Sequence, residues 1–145
     1  MNYFKSAEQV LYSIPTLKRA VENLENRRAK LIANGAPREP GAIDYSKPFT
    51  DTHYVNDTLN EMLEVAECTR NIAETQKTLS YIEGVIAQLD KEQKEIIEAW
   101  YIEHRTKEEI AERLCVAITT AYSLRNKAVA EFALLYYGSA ALSSI

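Results

Sequence analysis

Glycine and proline are scarce, with four of each in 145 residues, and that shortage argues against a turn-rich sheet or a collagen-like repeat and favours helices. Cysteine occurs only twice, at Cys68 and Cys115, with no CxxC spacing. The two histidines, His53 and His104, complete a zinc pattern with neither. No metal site, disulfide framework or cofactor is therefore expected. No window approaches the ~20 apolar residues of a membrane span, and Met1 to Ser6 has no basic segment leading into an apolar core. The expected address is a reducing cytoplasm, with no membrane partner. Catalytic groupings are also missing: Glu108-Glu109 lies at a charged helix start, and no Ser, Cys or His has an orienting partner in view. The chain is not expected to be an enzyme.

Neither sign of charge dominates. Residues 1–90 carry 10 basic and 13 acidic side chains and residues 91–145 carry 7 and 8, for a net charge of -4. Such a chain does not coat nucleic acid indiscriminately. Hydrophobic residues make up 46%, enough for an ordered core.

Apolar residues recur at Val10, Ile14, Leu17, Val21, Leu24 and Leu31, with Arg28 in the remaining seam position. This alternation of four and three is a heptad seam. Ser6 with Gln9 forms a capping signal, so a helix is expected from there to about Ala33, where Asn34-Gly35 stops it. Pro15 should kink or restart it. Residues 34–53 hold three of the four prolines and read as an irregular connection, with Tyr45 and Phe49 available to pack or bind. From about Tyr54 a second seam runs through Met62, Val65, Cys68, Ile72, Thr75, Leu79, Ile82, Ile86 and Leu89. An antiparallel hairpin is the simplest way to bury both stripes.

Asp90 and Gln93 signal a new helix with Ile96, Ile97, Trp100 and Tyr101 on its apolar side. Thr106 and Glu109 form a second capping box, opening a short helix that turns Ile110, Ala111 and Leu114 one way. After Cys115-Val116 a third pattern passes through Ala121, Leu124, Ala128, Phe132 and Leu135 to Gly138. Trp100, Tyr101, Ile110, Leu114 and Phe132 are expected to be core. The expected fold is all-α: a long helical hairpin, or coiled-coil-like arm, over 1–89 with the loop 34–53, a trihelical unit over 90–138, and a frayed tail over 139–145. Leu134, Leu135 and Tyr136 end an apolar run that covers more than one helix face, so docking on the arm or self-association into a homodimer is expected.

Residues 89–138, with Trp100-Tyr101-Ile102, then Thr106 to Ala111, then Leu124 to Ala128, resemble the helix-turn-helix of sigma factor region four. The stretch is most similar to the version in phage late-gene regulators of the ArpU and RinA type. The resemblance implies a DNA-binding transcription regulator acting on double-stranded DNA in the cytosol of a bacterial host. In a helix-turn-helix the second helix braces the third, whose start enters the major groove. By position, Ile118, Thr119, Thr120, Tyr122 and Ser123 would face the groove. Arg125, Asn126 and Lys127 would lie nearer the DNA backbone, and Arg105 and Lys107 would approach phosphates at the start of the second helix.

The chain departs from that pattern where bases are read. Cys115, Ala117, Ile118 and Ser123 stand where the family has Gly, a Ser cap and polar or basic readers. Ala117 cannot cap a helix, which costs about 1 kcal/mol relative to Ser. Ile118 cannot hydrogen-bond a base edge and suits a thymine methyl or a protein surface, while Thr119 and Thr120 discriminate bases weakly. A second function therefore stays open: a protein-binding module on the same scaffold, using Ile118, Leu134, Leu135 and Tyr136. Its partner would be host RNA polymerase or a defence factor, such as a CRISPR effector inhibited by a phage protein. A connected positive stripe around the third helix would favour DNA; an apolar or acidic one would favour protein.

Overall fold

The structure is a computed structural model that describes residues 1–35 and 52–145. Every element among them is helical: α1 (Tyr3–Ala33), α2 (Thr52–Ile86), α3 (Lys91–Ile97), a π-helical turn (Glu98–Ile102), α4 (Lys107–Leu114), α5 (Ile118–Tyr137) and a 3-10 helix (Gly138–Ser144). The fold is all-α. None of these helices is long and apolar enough to cross a membrane. Most of the expected 34–53 connection, with Tyr45 and Phe49, lies outside the described residues.

α1 starts a turn before the expected Ser6 signal. The Asn2 side chain accepts from the Lys5 amide at 3.2 Å, and the Ser6 amide already bonds the Asn2 carbonyl at 3.1 Å. The earlier start is stabilised by burial, since Ala7 is fully buried and the Tyr3 ring packs 5.1 Å from that of Tyr137. The helix runs through Pro15 without restarting, although proline there removes the bond an amide would donate to the Leu11 carbonyl and its ring crowds that carbonyl. Gly35, at φ +96°, ends it with its amide on the Ile32 carbonyl, a left-handed position that glycine takes without steric cost.

Contacts divide the chain into two compact units, Lys18–Lys77 and Met1–Leu17 with Thr78–Ile145. In the first, Val21 of α1 and Val65, Cys68 and Ile72 of α2 are buried. Arg28, the charge in the first seam, is half-buried and donates from Nη1 to Thr69 Oγ1 at 3.3 Å. The seam thus carries its cation with a hydroxyl partner.

The second unit holds the larger core: Leu11, Ile14, Ile82, Ile96, Ile97, Tyr101, Ile110, Val129 and Phe132 are its large fully buried side chains. Asp90 caps α3, accepting from the Gln93 amide at 2.8 Å, and Thr106 caps α4, accepting from the Glu109 amide at 3.2 Å, as the spacing predicted. The π turn has no sequence signal. Its bond from the Glu103 amide to the Glu98 carbonyl, 2.8 Å, inserts one residue into the turn. Tyr101 goes fully inward and Trp100 is left half-exposed. The expectation that both are core is corrected for Trp100 on that account.

The tail is not frayed as far as Ser144. Gly138–Ser144 form a 3-10 helix with Ala141 fully buried, and Ser144 Oγ donates to the Met1 carbonyl at 3.1 Å. Burial of a single methyl and one hydrogen bond hold a segment too polar and too short to show periodicity.

Candidate nucleic-acid interface

α4 ends at Cys115, whose φ of 57° and ψ of 42° place it in the left-handed region, and its amide and that of Val116 close the last turn on Glu112 and Ala111 carbonyls. Ala117 is extended (φ -69°, ψ 154°) and begins α5 with no side-chain cap bond. α4 and α5 are therefore separated by three residues, Cys115 to Ala117. Along α5, Ala121, Ala128, Val129, Phe132 and Ala133 are buried. The methyls of Ala121 and Ala128 let the helix lie close to its neighbours. The opposite face of its first three turns, Ile118, Thr119, Thr120, Ser123, Asn126 and Lys127, is exposed.

Three of the expected site residues form one constellation. The Arg125 guanidinium lies 4.7 Å from the centroid of Trp100 and 5.3 Å from that of Tyr122, and the two rings meet edge-on at 5.2 Å. Arg125 Nε and Nη2 donate to Asn126 Oδ1 at 3.2 and 2.8 Å. Lys127 is on the next face, beside a shallow groove lined by Asp90, Glu92, Gln93, Ile96 and Leu124.

Arg105 is drawn elsewhere. Its Nε donates to Glu103 Oε2 at 2.7 Å, its Nη1 is 3.6 Å from Glu109, and Arg113 is 3.6 Å from the same Glu103. The hydrogen bond from Arg105 holds the Glu103 carboxyl below the usual carboxylate range. Lys107, in the first turn of α4, is exposed. The start of α4 thus presents an electrically mixed surface, with Arg105, Lys107 and Arg113 set among Glu103, Glu108, Glu109 and Glu112 along the chain.

Comparisons with protein-family models, curated proteins and solved structures return no match.

Of the residues expected at a protein interface, Ile118 and Leu135 are 39% and 37% exposed, and Leu134 is half-buried. The half-buried Tyr136 ring packs on Phe132 at 5.4 Å, Tyr81 of α2 at 5.3 Å and Tyr137 at 4.8 Å, the docking on the arm that was one of the two expectations for this run. The contact of Trp100 with Arg125 and Tyr122 was not foreseen, because a lone tryptophan beside Tyr101 at helical spacing reads as core. The Glu8 partner of Tyr101 was missed as well; Tyr101 donates its hydroxyl to Glu8 Oε2 at 2.9 Å across 93 residues. Burial and that carboxylate raise the Tyr101 phenol well above its ordinary range. No group of three or more His, Cys, Asp or Glu among the described residues could hold a metal.

Proposed function

We propose that the chain is a phage-type transcription regulator that binds double-stranded DNA in the cytosol of a bacterial host through α4, the three-residue turn and α5. The observation that carries the reading is the division of α5: a buried small-residue face against the rest of the unit and an exposed face of Thr119, Thr120, Ser123, Asn126 and Lys127 over its first three turns. A helix presented in this way can enter a major groove. Thr119, Thr120 and Ser123 would meet base edges, and the uncapped first turn of α5 offers backbone amides to a phosphate. Lys107, Arg125 and Lys127 would supply the phosphate contacts. Three cations per subunit are few, so a homodimer that doubles them is part of the proposal.

A second reading draws on the Arg105, Glu103, Glu109 and Arg113 cluster and on the exposure of Ile118. Cations already matched by carboxylates add little to a phosphate-binding stripe, and an exposed Ile suits a protein surface. Under this reading α5 docks on a host protein.

Salt dependence separates the two. Three phosphate contacts predict a slope of log affinity against log salt of about -2.7 per subunit for duplex DNA. Replacing Arg125 and Lys127 together by Ala should flatten it by about two units per subunit without changing sequence preference. A duplex affinity that is immeasurable at low salt in the unaltered chain rejects the DNA reading.

A further inference from the structure

Trp100 is the single tryptophan of the chain, and the π turn holds it at the surface rather than in the core beside Tyr101. The Arg125 guanidinium lies over its ring, with Tyr122 as a second aromatic neighbour. A guanidinium carries five N–H donors in a planar fork. The aromatic contact occupies its face, and Asn126 Oδ1 takes the edge formed by Nε and Nη2. The remaining donors lie toward the Nη1 end. Arg125 is half-buried and flanks the exposed face of α5, whereas Thr119, Thr120 and Ser123 are exposed on it. A planar donor edge at the side of such a helix suits a backbone phosphate rather than a base.

We infer that Trp100, together with Tyr122, is a positioning residue that holds Arg125 in the orientation in which its guanidinium binds a phosphate of duplex DNA. The inference rests on the DNA reading above and adds to it a part for a residue on a different helix. An arginine stacked and hydrogen-bonded before the ligand arrives loses less freedom on binding than an exposed one. The stacking needs a π face; apolar bulk alone does not supply it.

The test uses the full chain with a mixed-sequence 30-base-pair duplex over a range of salt, comparing Trp100→Phe, Trp100→Leu, Arg125→Ala and the Trp100→Leu/Arg125→Ala pair. Arg125→Ala should weaken binding about fivefold to tenfold at low salt and flatten the salt slope by about one unit per subunit. Trp100→Leu should do nearly the same, Trp100→Phe should change affinity less than about twofold, and the double variant should be no weaker than Arg125→Ala. In the unaltered chain, the emission of Trp100 should change on duplex addition, a readout that needs no variant to fold. A Trp100→Leu chain that keeps the full salt slope, losses that multiply in the double variant, or tryptophan emission indifferent to bound duplex would overturn the inference while leaving the DNA reading intact. Absence of salt-dependent duplex binding in the unaltered chain would overturn both.

Discussion

Replacing Tyr101 by Phe removes one oxygen from the core of the second unit and leaves the ring, which meets Tyr12 edge-on at 4.6 Å, in place. The lost hydroxyl donates to Glu8 at 2.9 Å. Hydrogen bonds to charged groups contribute about 1.5–3 kcal/mol; because Glu8 is half-exposed and regains water, the loss at pH 8 should be nearer 1 kcal/mol. The pH dependence is more diagnostic. Burial, then the Glu8 hydrogen bond and charge, raise the phenol above its ordinary 10.0, so the folded chain holds that proton more tightly than the unfolded chain does. This stabilisation is complete below pH 10 and is lost as pH rises above it, at about 1.4 kcal/mol per pH unit. Tyr101→Phe has no such proton to lose. Urea unfolding followed by circular dichroism should therefore show a gap of about 1 kcal/mol at pH 8 that has closed by about pH 11. A gap that stays constant between those pH values would refute the assignment of a buried, carboxylate-bonded phenol.

Ala117 has the backbone geometry of a helix cap without a capping atom, so Ala117→Ser should stabilise the chain by about 1 kcal/mol and raise the melting temperature by roughly 3 °C, while Thr106→Ala should cost a similar amount. Calorimetry checks both, and equal melting temperatures for all three chains would contradict the cap assignments. Ala141→Glu, which would force a carboxylate into a fully buried site, should destabilise by more than about 2 kcal/mol; a frayed segment would tolerate it unchanged.

The parts of the fold that were legible in the sequence are those written in local chemistry. Asp90 and Thr106 cap their helices because an acceptor three residues before a free amide is a short-range arrangement. Val65, Cys68, Ile72, Leu79, Ile82 and Ile86 are buried because heptad spacing puts them on one stripe of α2. What was not legible depends on partners far away in the chain. The stripe at the start of α1 passes through Ala7, Leu11 and Ile14, with Leu11 buried more deeply than the expected Val10, because its surroundings come from the second unit rather than from a regular seam. The π turn shifts Trp100 outward by one inserted residue, and helical spacing alone cannot anticipate that. At the candidate interface, the exposed order of Thr119, Thr120, Ser123 and Lys127 followed from the small residues Ala121 and Ala128. The capture of Arg105 by Glu103 and Glu109 was within reach of the sequence, since the partners lie only two and four residues away, but the resemblance gave Arg105 to phosphates instead.

Whether the exposed start of α5 reads duplex DNA is decided by selecting duplexes from a random pool on the full chain at low salt, beside capture of proteins from bacterial lysate on the same chain. A DNA-reading α5 predicts enrichment of a defined duplex sequence that shifts when Thr119 or Thr120 is replaced and weakens uniformly when Arg125 and Lys127 are replaced. No enriched duplex, together with retention of one host protein whose binding is lost on Ile118→Asp, would contradict it and assign α5 to a protein partner.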